Sequence, residues 1–96
     1  MSSISLNHVG VTVLDIERSI AFYRDVVGMD AYSRRRMQGE WFDTLTHNSG
    51  ADIDTAMLRL DGFVLQLVQY HAGGGGTLPL AHNHVGNPHM CINVAD

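Results

Sequence analysis

His8-Val-Gly-Val-Thr-Val-Leu-Asp-Ile-Glu-Arg-Ser-Ile-Ala-Phe-Tyr-Arg-Asp-Val-Val-Gly-Met29 decides the fold, because its periodicity changes half-way along. From Leu6 to Leu14 the side chains alternate: Val9, Val11 and Val13 point one way, and Leu6, His8, Gly10 and Thr12 the other. Period two with one apolar side is a half-buried strand. Ile16, Ile20, Tyr23 and Val27 then recur at helical spacing. Asp15 suits the N-cap, Glu17 the positive first turn, and Gly28 the stop. The spacing predicts a helix over 16–27, packed on the valine side of the strand.

Working outward, residues 30–38 suit a second strand, and 39–54 read as a polar loop with a helical turn around Trp41. Asp61-Gly62 separates apolar stretches at 55–60 and 63–70, which predicts a hairpin with a two-residue type I′ turn. Residues 71–88 form a long loop, and 89–94 alternate again as a last strand. The ends of the sequence echo each other. His8-Val-Gly-Val-Thr-Val-Leu-Asp15 aligns with His89-Met-Cys-Ile-Asn-Val-Ala-Asp96, with His, Val and Asp at matching places. The chain reads as an α+β fold: a βαβββ module over 1–70, a connecting loop over 71–88, and the first strand of a second, largely absent module over 89–96.

Composition narrows the function. The 96 residues are 45% hydrophobic and 17% charged, which suits one globular domain. Ten acidic residues against six arginines give a net charge of −4, a poor match to a nucleic-acid backbone. A single cysteine sets no disulfide framework. The opening Met1-Ser2-Ser3-Ile4 has no signal-peptide pattern, and no apolar run approaches a membrane span. The expectation is a cytoplasmic protein with a small-molecule substrate and neither nucleic acid nor membrane as partner.

Strand parity then groups the chemistry. Phe63, Leu65 and Leu67 form the apolar side of the hairpin's second strand, and Met90, Ile92 and Val94 that of the last strand. His8, Gln66 and His89 fall on the opposite sides of three strands. Neutral imidazole and amide oxygen suit a divalent ion of borderline or hard character.

The run from His8 to Met29, with its Phe22-Tyr23 pair and Gly28, resembles the opening of the vicinal oxygen chelate superfamily, which includes glyoxalases, bleomycin-resistance proteins and extradiol dioxygenases. Gly39-Glu-Trp-Phe-Asp43, Leu65-Gln-Leu-Val-Gln-Tyr70 and Gly86-Asn-Pro-His-Met-Cys-Ile-Asn-Val-Ala-Asp96 extend the resemblance along the chain. It implies paired βαβββ modules around a divalent metal: Zn, Co, Ni, Mn or Fe. His8 and Gln66 match the first- and fourth-strand ligands of one module, and His89 the first-strand ligand of the next. The last ligand, typically a Glu, would lie in a strand this sequence does not contain. The implied activity is that of an isomerase, epimerase or lyase acting through a metal-stabilised enediolate or enolate. An iron-dependent ring-cleaving dioxygenase and a metal-free drug-binding protein are the alternatives. A homodimer, or completion by a missing second module, is expected to cover the half-built sheet.

Other residues carry weaker signals. Arg34-Arg35-Arg36 alternates sides, so Arg34 and Arg36 are candidates to grip a substrate carboxylate or phosphate; a solvated edge strand is the competing reading. Trp41, with Phe42 and Tyr70, either lines a pocket or packs. Gly73–Gly76 lacks the Lys-Ser/Thr of a phosphate loop and reads as a lid or linker. His47, His71, His82 and His84 read as loop or surface histidines, and Glu40 as too loosely placed to name as a base.

Overall fold

A computed structural model describes residues 3–46, 50–76, 85 and 88–95. Strand β1 spans Val9–Thr12 and helix α1 Ile16–Ala21, followed by a π-helical stretch over Phe22–Val27. Then come β2 (Asp30–Gln38), α2 (Glu40–Thr46), β3 (Asp52–Leu60) and β4 (Phe63–Ala72). The four strands form one sheet in the order β1-β4-β3-β2. β1 runs parallel to β4, and the other pairs are antiparallel. The fold is therefore α+β, with the connectivity expected from the opening run.

Asp15 caps α1 as anticipated: its Oδ1 accepts from the Arg18 amide at 3.2 Å. Ile16 and Ile20 are buried against Ala56, Leu58, Leu65 and Leu67, with Val11, Val13, Tyr23, Val27 and Phe63 packed around them. Full burial of aliphatic side chains such as Leu58, Leu65 and Leu67 stabilises the module by roughly 1.5–3 kcal/mol apiece. The helix departs from α geometry after Ala21. The Gly28 and Met29 amides both donate to the Tyr23 carbonyl, and Met29 is drawn into the core. Wider turns are the local solution that closes the helix while Met29 enters the core.

Three boundaries differ from the sequence reading. First, the helical turn expected around Trp41 within the 39–54 loop is a full helix, α2, and β3 begins at Asp52 rather than at Thr55. The Gly39 carbonyl accepts from the Phe42 and Asp43 amides, and Phe42 is buried with Ala51 and Ile53. Polar composition hid this, because Asp52 and Asp54 are strand residues facing arginines across the β2–β3 pair. Second, β4 continues to Ala72. Third, residues 88–95 join no strand of the sheet. β1 pairs with the β4 of its own module, and a strand over 89–94 would need an equivalent partner of its own. His47, His82, His84 and Asp96 lie outside the described residues.

The hairpin turn follows the prediction, with Asp61 and Gly62 both at positive φ (49° and 79°). The glycine run does more than link. Gly73 has φ 76°, and a Cβ there would stand 2.9 Å from the Ala51 Cα, so the chain leaves β4 by passing directly over the start of β3.

Candidate functional site

The register divides the side chains between the two sides of the sheet. Leu58 faces Leu65, Ala56 faces Leu67 and Asp54 faces Gln69 on the α1 side. Met57 opposite Gln66, Thr55 opposite Val68 and Ile53 opposite Tyr70 lie on the other. β1 adds Gly10 beside Gln66 and Thr12 beside Val68. β2 adds Ser33, Arg35 and Met37. One end of this outer side is closed by α2, through Phe42 packed with Ile53, Val68, Tyr70 and Met37.

Gln66 is half-buried, and its side chain has no hydrogen-bond partner among the described residues. Its Oε1 lies over Gly10, 3.4 Å from where a Cβ on that residue would be. Gln69, three residues on, faces α1 and accepts from the Ile16 amide at 2.9 Å. The two glutamines of β4 thus divide the labour: one completes the start of the helix, and the other stays available on the outer side.

His8 precedes β1 by one residue, is exposed, and shares Gly10's parity. Its Nδ1 donates to Asn7 Oδ1 at 2.7 Å, so Nε2 is the ring nitrogen not engaged in that bond. His8 thus stands just ahead of the strand that pairs with β4, while Gln66 lies within β4 itself. His89 is exposed and lies in the segment that joins no strand. Its neighbours Met90–Asn93 border a cleft of about 290 Å³ with Val27, Met29, Leu60, Asp61 and Phe63. Among the described residues, no three His, Cys, Asp or Glu side chains gather as a metal centre. Imidazole and amide oxygen are donor types that suit a divalent ion of borderline or hard character, and two of them would make up half of a coordination shell.

Arg34 and Arg36 are not on this side. Arg34 donates to Glu17 of α1 and to Asp54, both at 2.8 Å. Arg36 holds both oxygens of Asp52, at 2.5 and 2.8 Å. These bonds keep both guanidiniums charged and pull the Asp52 carboxyl below its usual range. Parity explains the placement: Arg34 sits opposite Ala56 and Arg36 opposite Asp54, both α1-side positions. Arg35, between them, is the arginine the run presents to the outer side. Alternation in the sequence separates Arg35 from its neighbours, but not which side faces the helix.

Trp41 is 57% exposed on α2, its ring edge-on to Phe42 at 5.6 Å. Phe42, its neighbour, is the aromatic of α2 that packs on the outer side of the sheet. α2 also carries Asp43, whose buried Oδ1 has no hydrogen-bond partner among the described residues. Cys91 is exposed. No helix among the described residues is long and apolar enough to cross a membrane.

The family model of the Glyoxalase/Bleomycin resistance protein/Dioxygenase superfamily matches residues 5–96. The chain belongs to that superfamily. Its fold matches the crystal structure of a glyoxalase family protein from Bacillus cereus with a TM-score of 0.74 at 18% identity. The match covers 91% of this chain and 62% of that one, so the chain spans less than two thirds of that relative. No curated protein matches the sequence. The superfamily hosts several chemistries on one scaffold, so membership settles the fold and leaves the reaction to the site.

Proposed function

We propose that this chain is the metal-holding module of a divalent-metal-dependent isomerase, epimerase or lyase of the superfamily. One observation carries the reading: Gln66, half-buried and without a side-chain hydrogen-bond partner among the described residues, stands over Gly10 on the side of the sheet away from α1. His8 and Gln66 would hold the ion, joined by His89 once its segment folds as the opening strand of a second module or of a partner's. A divalent ion bound there supplies Lewis-acid polarisation of substrate oxygens.

The chain's own residues set the conditions for proton transfer. His8 and Gln66 are neutral donors, so they leave the site's positive charge undiminished, whereas a carboxylate at position 66 would offset part of it. Phe42, Ile53 and Tyr70 pack together and would exclude water at one end. Asp52 and Asp54 face α1 and are held by arginines, so neither serves as base. Asp43 is the carboxylate to test in that role, because one of its oxygens is buried without a described partner.

The test is elemental analysis of the chain purified without chelator or histidine tag, beside the His8→Ala/Gln66→Ala double variant. Near-stoichiometric zinc, cobalt, nickel or manganese that is lost in the variant supports the reading. Iron together with oxygen uptake on a catechol replaces it with ring cleavage. A metal-free chain that sequesters a drug replaces it with a binding protein.

A further inference from the structure

The sheet register lines up two rows on the side away from α1. Gly10, Gln66, Met57 and Ser33 form one, and Thr12, Val68, Thr55 and Arg35 the next. Arg35 is the only cation among these residues, and with Arg18 on α1 it is one of two arginines that form no ion pair among the described residues. Arg24 is paired with Asp25, Arg34 with Glu17 and Asp54, Arg36 with Asp52, and Arg59 with Asp30. Arg59 also lies 4.5 Å from the centre of the Tyr32 ring. Arg35 is exposed, and its guanidinium meets no carboxylate among the described residues. Arg35 and the Gln66 amide, in neighbouring rows of the same side, are thus two groups able to bind a ligand and without a side-chain partner among the described residues.

The spacing limits what that ligand is. Arg35 and Gln66 are two strands and two residues apart, which places their Cα atoms about 12 Å from each other. A span of that length suits a small molecule held at its two ends by the two side chains. Met57, Val68 and Thr55 form the floor between them, and Thr55 spends its hydroxyl on the Arg35 carbonyl at 3.4 Å. The floor therefore offers no second charge, and the guanidinium fork sets the orientation.

We propose that Arg35 is the substrate-orienting residue of this site, and that the substrate is a small organic acid. Its carboxylate sits in the Arg35 fork, a few bonds from the oxygen presented at the Gln66 end. This rests on the reading of Gln66 as part of the site, and it replaces Arg34 and Arg36 as the substrate-binding arginines.

The test is titration of the ¹⁵N-labelled full chain with malonate, inorganic phosphate and neutral dimethyl malonate, following the arginine Nε–H and glutamine amide signals. Malonate is expected to shift the Arg35 and Gln66 signals and the neutral ester is not. Arg35→Gln should weaken malonate binding by about tenfold or more, with Arg35→Lys intermediate. Arg18→Gln, an equal loss of charge on α1, should leave it unchanged. Equal binding by Arg35→Gln and the parent chain overturns the proposal, as does equal weakening by Arg18→Gln. Phosphate binding tighter than malonate overturns the carboxylate assignment. Metal content, measured on the same samples, separates the two readings. Metal retained with malonate indifferent to Arg35 removes the anion site alone. No metal with malonate still dependent on Arg35 removes the metal reading alone.

Discussion

Gly10 lies directly beside Gln66 across the parallel β1–β4 pair, and a Cβ at position 10 would be in van der Waals contact with the Gln66 Oε1 at 3.4 Å, so the γ-methyls of a larger side chain would need the room that Oε1 takes. Gly10→Val is therefore expected to displace the Gln66 amide without unfolding the module, since Val suits a strand. Metal affinity should fall about tenfold, in the range typical of groups that position a ligand, with the far-UV circular dichroism unchanged. Unaltered affinity in a folded variant would remove Gln66 from the site.

The two glutamines of β4 should separate stability from binding. Gln69→Ala leaves the Ile16 amide without its acceptor at the start of α1, and is expected to cost about 1 kcal/mol in urea unfolding. Gln66→Ala breaks no hydrogen bond within the described residues, and should change stability by less than about 0.5 kcal/mol while lowering metal content. The reverse ranking would mean that the roles assigned by register are exchanged.

Leu67 is fully buried, with Val11 and Ala56 as its cross-strand neighbours. Leu67→Ala should cost about 2–5 kcal/mol through lost burial and the cavity left behind. Set against the roughly 5–15 kcal/mol of an ordinary domain, that is enough to broaden or abolish the thermal transition. A shift of only a degree or two would show that the core relaxes around the gap.

The Arg36–Asp52 pair predicts an acid response. The bonds from Arg36 hold the Asp52 carboxyl below its usual value, so the folded chain binds that proton less readily than the unfolded chain. Its stabilisation is complete above the unfolded carboxylate pKa of about 3.9 and is lost as pH falls through the lower folded value. The parent chain should therefore exceed Arg36→Gln in stability at pH 7, and the gap should close below about pH 3. Urea midpoints at both pH values check this, and a gap independent of pH would count against it.

Much of this architecture is legible in the residues. The switch from the alternating valines to the spacing of Ile16, Ile20, Tyr23 and Val27 marks β1 and α1, because burial on one side imposes those periods. Asp61-Gly62 marks the hairpin, because both positions need positive φ. Asp52-Ile53-Asp54-Thr55 alternates just as clearly, but its acidic residues read as loop until the arginines opposite them are known. The superfamily resemblance rests on the same opening run. Strand parity separated Arg35 from Arg34 and Arg36, but which of them left the helix side depended on tertiary pairing. The Gly73 passage over Ala51 is likewise a contact between distant segments, with no local signature beyond the glycine itself.

The bond from the Ile16 amide to Gln69 has a consequence for assembly. A strand that slipped by one position would turn Gln69 outward, strip α1 of its acceptor and turn Gln66 in against the helix. The hydrogen bond at the start of the helix therefore acts as a proofreading device. Any molecule in which it has formed has already set residue 66 to the outer side, so the Gln66 amide is aligned by folding itself.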